Sequence, residues 1–195
     1  MWYFSPEKNI YRVRYVNMAI NFETLDYLKD GTEKQRRAHQ VLTSHSVFEN
    51  LEGFDPLLIG TIPLNIDIEK SDLDIICCWK NKNLFIETLI ENFSHHREFF
   101  LAEKKIRNRE TILASFRTDE FAIEIFGQTR PTQEQEGYLH MIIEYNILCR
   151  NDEGFRQEII NLKKEGLTTE QAFAQQLNLA GDPYLELLKF GQGLT

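Results

Sequence analysis

The stretch that decides the fold reads LLIGTIPLNIDIEKSDLDIICCW and runs from residue 57 to residue 79. It begins with a short apolar run, Leu57 to Ile59, followed by Gly60-Thr61, a pattern typical of a buried strand that ends in a tight turn. Its last part, Asp72 to Trp79, is continuously apolar after Asp74. Such a run predicts a central strand covered on both faces of a sheet.

Two carboxylates stand at the start of the second of these strands. Asp72 and Asp74 are two positions apart, and strand side chains alternate between faces, so both are expected on the same face of the sheet. Repulsion between neighbouring carboxylates is costly unless a cation screens it, and hard oxygen ligands suit Mg²⁺. The pair therefore predicts a divalent metal site for Mg²⁺ or Mn²⁺.

A third acid, Glu124, lies in the middle of the apolar segment from Phe121 to Phe126. A carboxylate in such a strand needs a partner or an ion if it is buried. If this strand lies beside the Asp72 strand, Glu124 completes a cluster of three carboxylates, which we predict to be both the catalytic residues and the metal ligands. Such a cluster can hold one metal on a triphosphate and a second metal that activates an acceptor hydroxyl.

Anion-binding groups are expected next to these acids. A glycine at position 60 lets the backbone approach a phosphate closely, and the Thr61 hydroxyl with nearby amides can bind terminal phosphate oxygens. Arg130, which follows the Glu124 strand, is expected at the mouth of the site, where its guanidinium could pair with phosphate. An ordinary surface-loop contact explains Arg130 equally well.

The rest of the chain predicts an α+β fold, in which a mixed or antiparallel sheet is flanked by helices and followed by a helical C-terminal part. Further strands are expected as an antiparallel meander over 98–106, 111–116 and 121–126. Helices are expected over 21–28, 32–47, 83–93, 132–150, 155–164, 168–177 and 182–190. We expect a peripheral extension over 1–20, a core over 21–130 and a helical part over 131–195 that packs on the core.

One face of the helix predicted over 132–150 is polar. Gln133, Gly137, His140 and Glu144 fall along this face, and the last two are one turn apart. These residues could line a pocket, or they could form a solvated outer face, and the sequence leaves both alternatives open.

Composition bounds the class of protein. With 42% hydrophobic residues and a mean hydropathy of −0.40, the chain has the composition typical of a soluble globular protein. We find no apolar run long enough to span a membrane and no pattern typical of a signal peptide. We therefore expect a cytoplasmic location. The net charge of −8 argues against extensive nucleic-acid binding, because such binding would need a strongly localised basic patch. One short basic run is present and comprises Lys104, Lys105, Arg107 and Arg109.

The segment from Gly60 to Asp74 resembles the signature of the nucleotidyltransferase superfamily related to DNA polymerase beta. That signature has a Gly-Ser turn, a connection, then Ser-Asp-hydrophobic-Asp on a strand, and a third acid on a later strand. Ser71-Asp72-Leu73-Asp74 fits closely, and Glu124 falls where the third acid would lie. The resemblance implies that Gly60, Thr61 and Ser71 contact the nucleotide. This sequence departs from the pattern at Thr61, where Ser is usual, and at Leu64-Asn65, where Arg-Gly is often seen.

A more local resemblance is to the DUF4269 family, which looks like a branch of that superfamily. It is carried by the following stretches and residues: 54–56, Gly60-Thr61, 71–75, 123–128, Pro131, Gln135, His140 and Glu144. The DUF4269 name carries no established substrate, whereas the resemblance to the wider superfamily implies transfer of a nucleoside monophosphate from a nucleoside triphosphate to an acceptor, with release of pyrophosphate. The acidic surface favours a small molecule or a protein as acceptor. Two alternatives remain: a module with this fold that binds nucleotide without turnover, and an unrelated α+β domain with surface acids.

Overall fold

The computed structural model describes residues 20–193. The predicted N-terminal extension lies almost entirely in residues 1–19, outside the described residues, as do residues 194 and 195. The strands are β1 (Leu57–Ile59), β2 (Leu73–Cys78), β3 (Arg97–Ile106), β4 (Arg109–Arg117) and β5 (Ala122–Gln128). The helices are α1 (Glu33–Ser44), α2 (Val47–Leu51), α3 (Lys82–Phe93), α4 (Glu136–Arg150), α5 (Glu153–Lys164), α6 (Thr169–Gln176) and α7 (Pro183–Gln192).

The five strands form one mixed sheet in the order β1-β2-β5-β4-β3. The β2 and β5 strands run parallel, and the other neighbouring pairs are antiparallel. The predicted α+β class and the antiparallel meander from β3 to β5 are therefore confirmed. The parallel pair is the feature that brings the second predicted strand next to the strand of Glu124.

The sheet separates two apolar cores. On one face, Leu73 and Ile75 of β2 pack in a cluster with buried residues of α1 and α3 such as Leu42 and Phe85. On the other face, Ile76 belongs to a second cluster with buried residues of α4 to α7. The central strand predicted from the apolar run is confirmed, because helices cover both of its faces.

Side-chain caps fix where several helices begin. Thr32 caps α1 and Thr168 caps α6, each in a reciprocal capping box with the glutamine three positions later. Asp182 accepts a hydrogen bond from the Leu185 amide and precedes Pro183, which occupies the first turn of α7. None of the helices described is both long enough and apolar enough to cross a lipid bilayer.

The helix predicted over 21–28 is wrong, because this segment holds only a 3-10 turn, Asp26–Leu28. The side chain of Asn21 accepts a hydrogen bond from the Glu23 amide, and the Thr24 hydroxyl accepts one from the Asp26 amide. Such local bonds compete with helical hydrogen bonding. The segment therefore forms consecutive turns instead of a continuous helix.

Candidate functional site

A single row of side chains crosses the whole sheet and contains two of the predicted acids. The strand register pairs Ile59 with Asp74, Asp74 with Glu124, Glu124 with Ser115 and Ser115 with Phe100. Directly paired residues point to the same face of a sheet, so the five side chains share one face. The structure therefore brings Asp74 and Glu124 side by side on the two parallel strands.

Asp72 lies two positions before Asp74, just ahead of β2, and is half-buried. Burial raises the pKa of its carboxyl, while the charges of Arg117 and Lys34 lower it. Repulsion from Asp72 contributes to the raised pKa of Asp74, so the two carboxylates are near each other. Because Asp72 precedes Leu73, the first residue of β2, a shared face for Asp72 and Asp74 stays a prediction.

The Gly60 turn lies directly against the Asp74 carboxylate. Gly60 has φ +88°, and a Cβ placed on it would stand 2.6 Å from Oδ2 of Asp74. Next to it, the Thr61 hydroxyl is 3.1 Å from the Ser71 hydroxyl, which also accepts a hydrogen bond of 2.9 Å from the Ile68 amide. The turn after β1 and the residue before the acids are therefore joined, and both belong to the same corner of the sheet.

Basic and amide side chains fix the loop between these two points through its carbonyl groups. Lys163 of α5 is buried and donates to the Ile66 carbonyl at 2.7 Å. Other donors to loop carbonyls come from α1 and α5: Lys34 to Ile68, Gln35 to Ile62 and Pro63, and Arg156 to Leu64 and Asn65. The loop is therefore positioned by helices on both faces of the sheet.

Asp74 is in an unusual electrostatic environment. Burial raises its pKa to about 7, and repulsion from Glu124 and Asp72 acts in the same direction. Lys163 is the cation that opposes this shift. Ionised Asp74 is therefore costly in the ligand-free protein, and a bound cation would remove that cost.

Asp74 and Glu124 open into a cavity of about 580 Å³ between the sheet and the C-terminal helices. Its floor is the open face of the sheet. At one end of the floor is the row that contains Asp74 and Glu124, which we call the acidic row, and apolar side chains such as Phe126 and Leu113 lie further along. Its roof comes from α4, α6 and α7, which contribute His140, Glu170 and Tyr184 among other residues. A concave, mostly apolar site with a few polar groups is typical of small-molecule binding.

His140 links three helices at the roof of this cavity. Its Nε2 lies 3.1 Å from the Tyr184 carbonyl oxygen, and its Nδ1 lies 3.6 Å from Oε1 of Glu170. Both His140 and Glu144 are buried, so the alternative of a solvated outer face is wrong for these two residues. Burial raises the pKa of Glu144 to about 8 and lowers that of Lys163 to about 8.

The structure does not bring Arg130 to the acids. Arg130 follows the C-terminal end of β5, whereas Glu124 lies near the beginning of that strand. Its Nε is 3.6 Å from Oε2 of Glu134, and it is not among the residues that line the cavity. Ser115, Phe100, Glu170 and Tyr184 do line it and were not predicted from the sequence. For Ser115 and Phe100 the sequence offers a weak signal, because alternation along their strands places them on the face that lines the cavity. For Glu170 and Tyr184 we find no signal in the sequence.

The donor set of this corner suits a hard divalent cation. Asp72, Asp74 and Glu124 supply only carboxylate oxygens, which are the ligands that Mg²⁺ and Mn²⁺ prefer. Within residues 20–193, no three acidic, histidine or cysteine side chains already converge on one point in the way a complete metal site requires. Mg²⁺ is typically held by one or two carboxylates together with substrate phosphates, and Asp72 and Asp74, with Glu124 beside Asp74, suit this arrangement.

Comparison with solved structures shows the fold. A mutant of the Cid1 poly(U) polymerase bound to MgATP matches with a TM-score of 0.50 and 9% identity over 71% of this chain. The GLD-2/RNP-8 complex and the polymerase core of TRAMP match with TM-scores of 0.47 and 0.46 and identities of 10% and 14%, over 77% and 84% of this chain. This chain spans 46%, 62% and 50% of the three matched chains, respectively.

Sequence comparison gives the family. No curated protein matches the chain significantly. The family model described as "Domain of unknown function (DUF4269)" matches residues 40–190, which include the acidic row, the Gly60 turn and the helices that roof the cavity. The chain therefore belongs to the DUF4269 family.

Proposed function

We propose that this chain binds a nucleoside triphosphate with Mg²⁺ or Mn²⁺ and transfers the nucleoside monophosphate to an acceptor hydroxyl. The observation that carries the proposal is the pairing of Asp74 with Glu124 on parallel strands, next to Gly60 and open to the cavity. Acids held together at a cost, beside a glycine turn that leaves room for phosphate, match the needs of metal-assisted phosphoryl chemistry. The chain's similarity in fold to a polymerase bound to MgATP supports the same interpretation.

Each residue of this corner has a separate role in the proposal. Asp72 and Asp74 hold the metal, and Gly60, Thr61 and Ser71 hold the triphosphate. When bound, the metal neutralises charge that develops on the phosphate oxygens. Glu124 accepts the proton of the acceptor hydroxyl while that oxygen bonds to the α-phosphorus. The bond from the α-phosphorus to the bridging oxygen breaks in the same step, and pyrophosphate leaves with its electron pair.

Thermal unfolding with each of the four nucleoside triphosphates tests this proposal. With Mg²⁺ or Mn²⁺, at least one nucleotide at ~100 times its Kd should raise the unfolding free energy by about 2.7 kcal/mol, and a chelator should abolish the effect. Asp119→Asn is the matched control, because Asp119 is exposed and pairs only with Arg97 among the residues described. If no nucleotide raises the Tm under any metal condition, the proposal is wrong.

Glu124→Gln separates binding from transfer. The variant should keep most of the nucleotide-induced Tm shift, because Asp72 and Asp74 remain. Once a turnover signal is found, its rate of pyrophosphate release should fall by about 100-fold or more, because the proton acceptor is lost. Metal-dependent binding without pyrophosphate release by the wild type, with any acceptor, would identify a nucleotide-binding module that lacks turnover.

A further inference from the structure

The acidic end of the cavity is opposite a cationic end. Lys104 of β3 and Arg109 at the start of β4 line the cavity with Asp74 and Glu124. Lys104 pairs with Thr111, which is four positions along β4 from Ser115 in the acidic row. At about 3.3 Å for each residue of a strand, the backbone of Lys104 lies roughly 13 Å from the acidic row, and that of Arg109, six positions from Ser115 on β4, lies roughly 20 Å from it.

The two cations are available to a ligand. Lys104 and Arg109 are exposed, and neither side chain has an ion pair or hydrogen bond with another residue in the range 20–193. Nearby, Arg107 behaves differently because it pairs with Glu136 at the start of α4. That pair joins the tip of the β3–β4 hairpin to the roof of the cavity.

The strand order indicates which substrate these cations face. The Gly60 turn, which holds the triphosphate in the proposed function, and Asp74, which holds the metal, belong to the β1 and β2 side of the sheet. Glu124 stands on the next strand, and Lys104 and Arg109 lie on the two strands beyond it. In an in-line displacement the attacking hydroxyl approaches opposite to the leaving pyrophosphate. The cationic end is therefore on the acceptor side.

The surface between the two ends favours a compact acceptor with an apolar part. Phe100 lies on the same face of β3 as Lys104 and is 54% exposed, and Leu113 and Phe126 form the adjacent floor. A cavity of about 580 Å³ suits a small molecule. The ion pair between Arg107 and Glu136 crosses the cationic end, and the net charge of −8 opposes a long phosphate backbone.

We infer that the acceptor is a small hydroxyl-bearing anion, a phosphate ester or a carboxylate, whose charged group binds Lys104 and Arg109. This inference rests on the proposed function. The acceptor's apolar or aromatic part packs on Phe100 and Leu113, and its hydroxyl reaches Glu124.

Calorimetric binding of phenyl phosphate, without nucleotide or metal, tests the inference. Phenyl phosphate should bind the wild type, and benzyl alcohol should not. Lys104→Ala and Arg109→Ala should each weaken binding about tenfold, because each removes a charge-assisted contact to phosphate. Lys105→Ala is the matched control, because Lys105 is the next residue, is also exposed and does not line the cavity. Phe100→Ala should weaken binding of phenyl phosphate but not of inorganic phosphate.

Three results would overturn the inference. Equal binding of phenyl phosphate to the wild type and to both cavity variants would show that these cations bind no anion. If Lys104→Ala and Arg109→Ala reduce the metal-dependent Tm shift by nucleotide as well, the cations serve the nucleotide and not the acceptor. If a short RNA oligonucleotide binds more tightly than phenyl phosphate, with equal dependence on Lys104 and Lys105, the acceptor is a polymer.

The nucleotide assay keeps this test separate from that of the proposed function. A metal-dependent Tm shift with nucleotide, together with no binding of phenyl phosphate, would contradict only the inference about the acceptor. Loss of both signals in the wild type would contradict the proposed function and the inference that depends on it.

Discussion

Asp74→Asn should make the ligand-free protein more stable and remove its response to nucleotide and metal. Burial and repulsion from Glu124 and Asp72 raise the pKa of Asp74 to about 7. An asparagine at this position has no charge to bury beside the other two acids. We expect a gain in unfolding free energy on the order of 1–2 kcal/mol at pH 8. The same change removes a metal ligand, so the ~2.7 kcal/mol expected from saturating nucleotide should be lost.

The pH dependence of this gain follows from the direction of the pKa shift. The ordinary pKa of aspartate is 3.8, so between about pH 4 and pH 7 folded Asp74 retains a proton that the unfolded chain has released. Asp74 therefore contributes a loss of stability over this range as the pH rises, and Asp74→Asn lacks this contribution. The gap in Tm should be small at pH 4, widen to about pH 7 and stay constant above it. A gap that is equally large at pH 4 would contradict the electrostatic cause.

Gly60→Ala should damage both the fold and the site. The backbone has φ +88°, and the added Cβ would lie 2.6 Å from Oδ2 of Asp74. We expect a loss of about 1–3 kcal/mol in unfolding free energy, because an alanine is strained at this φ and must displace the carboxylate. The affinity for nucleotide with metal should fall about tenfold or more, because the displaced oxygen is a proposed ligand. Urea unfolding and calorimetry measure the two effects.

A control substitution at Gly53 and a double mutant show whether contact with Asp74 causes the loss of stability in Gly60→Ala. Gly53→Ala should change stability little, because an added Cβ there meets no atom within 4 Å. In an Asp74→Ala background, Gly60→Ala should cost less than in the wild type, because the clash is relieved and only the backbone strain remains. Equal costs of Gly60→Ala in both backgrounds would show that the turn does not contact Asp74 in solution.

Local patterns in the sequence predict much of this site. Alternation along a strand predicts that Asp72 and Asp74 share a face, and the apolar run after Asp74 predicts a central strand. The Gly60-Thr61 dipeptide predicts the turn after β1. These features depend on residues that are near in sequence, and elementary backbone geometry is sufficient to interpret them.

Features that depend on long-range pairing could not be predicted in the same way. Asp74 and Glu124 are neighbours because β2 and β5 pair in parallel. From the sequence, the adjacency of these two strands was only a condition of the prediction, and their parallel direction was not predicted. The same parallel direction places Arg130 beyond the end of β5, away from the acids. The buried state of His140 depends on α6 and α7 covering a face of α4 that is polar in sequence. In each case, a contact between distant segments decides the environment of the residue.

The central claim is tested most directly by a crystal structure of the protein with Mn²⁺ and a nucleoside triphosphate analogue. The analogue must be one that cannot be cleaved at the α-phosphorus. The anomalous signal of Mn²⁺ should lie about 2.2 Å from carboxylate oxygens of Asp72 and Asp74 and from phosphate oxygens of the analogue. The triphosphate should contact the Gly60-Thr61 turn. Nucleotide bound elsewhere, or bound in the cavity without Mn²⁺ at these carboxylates, would contradict the account.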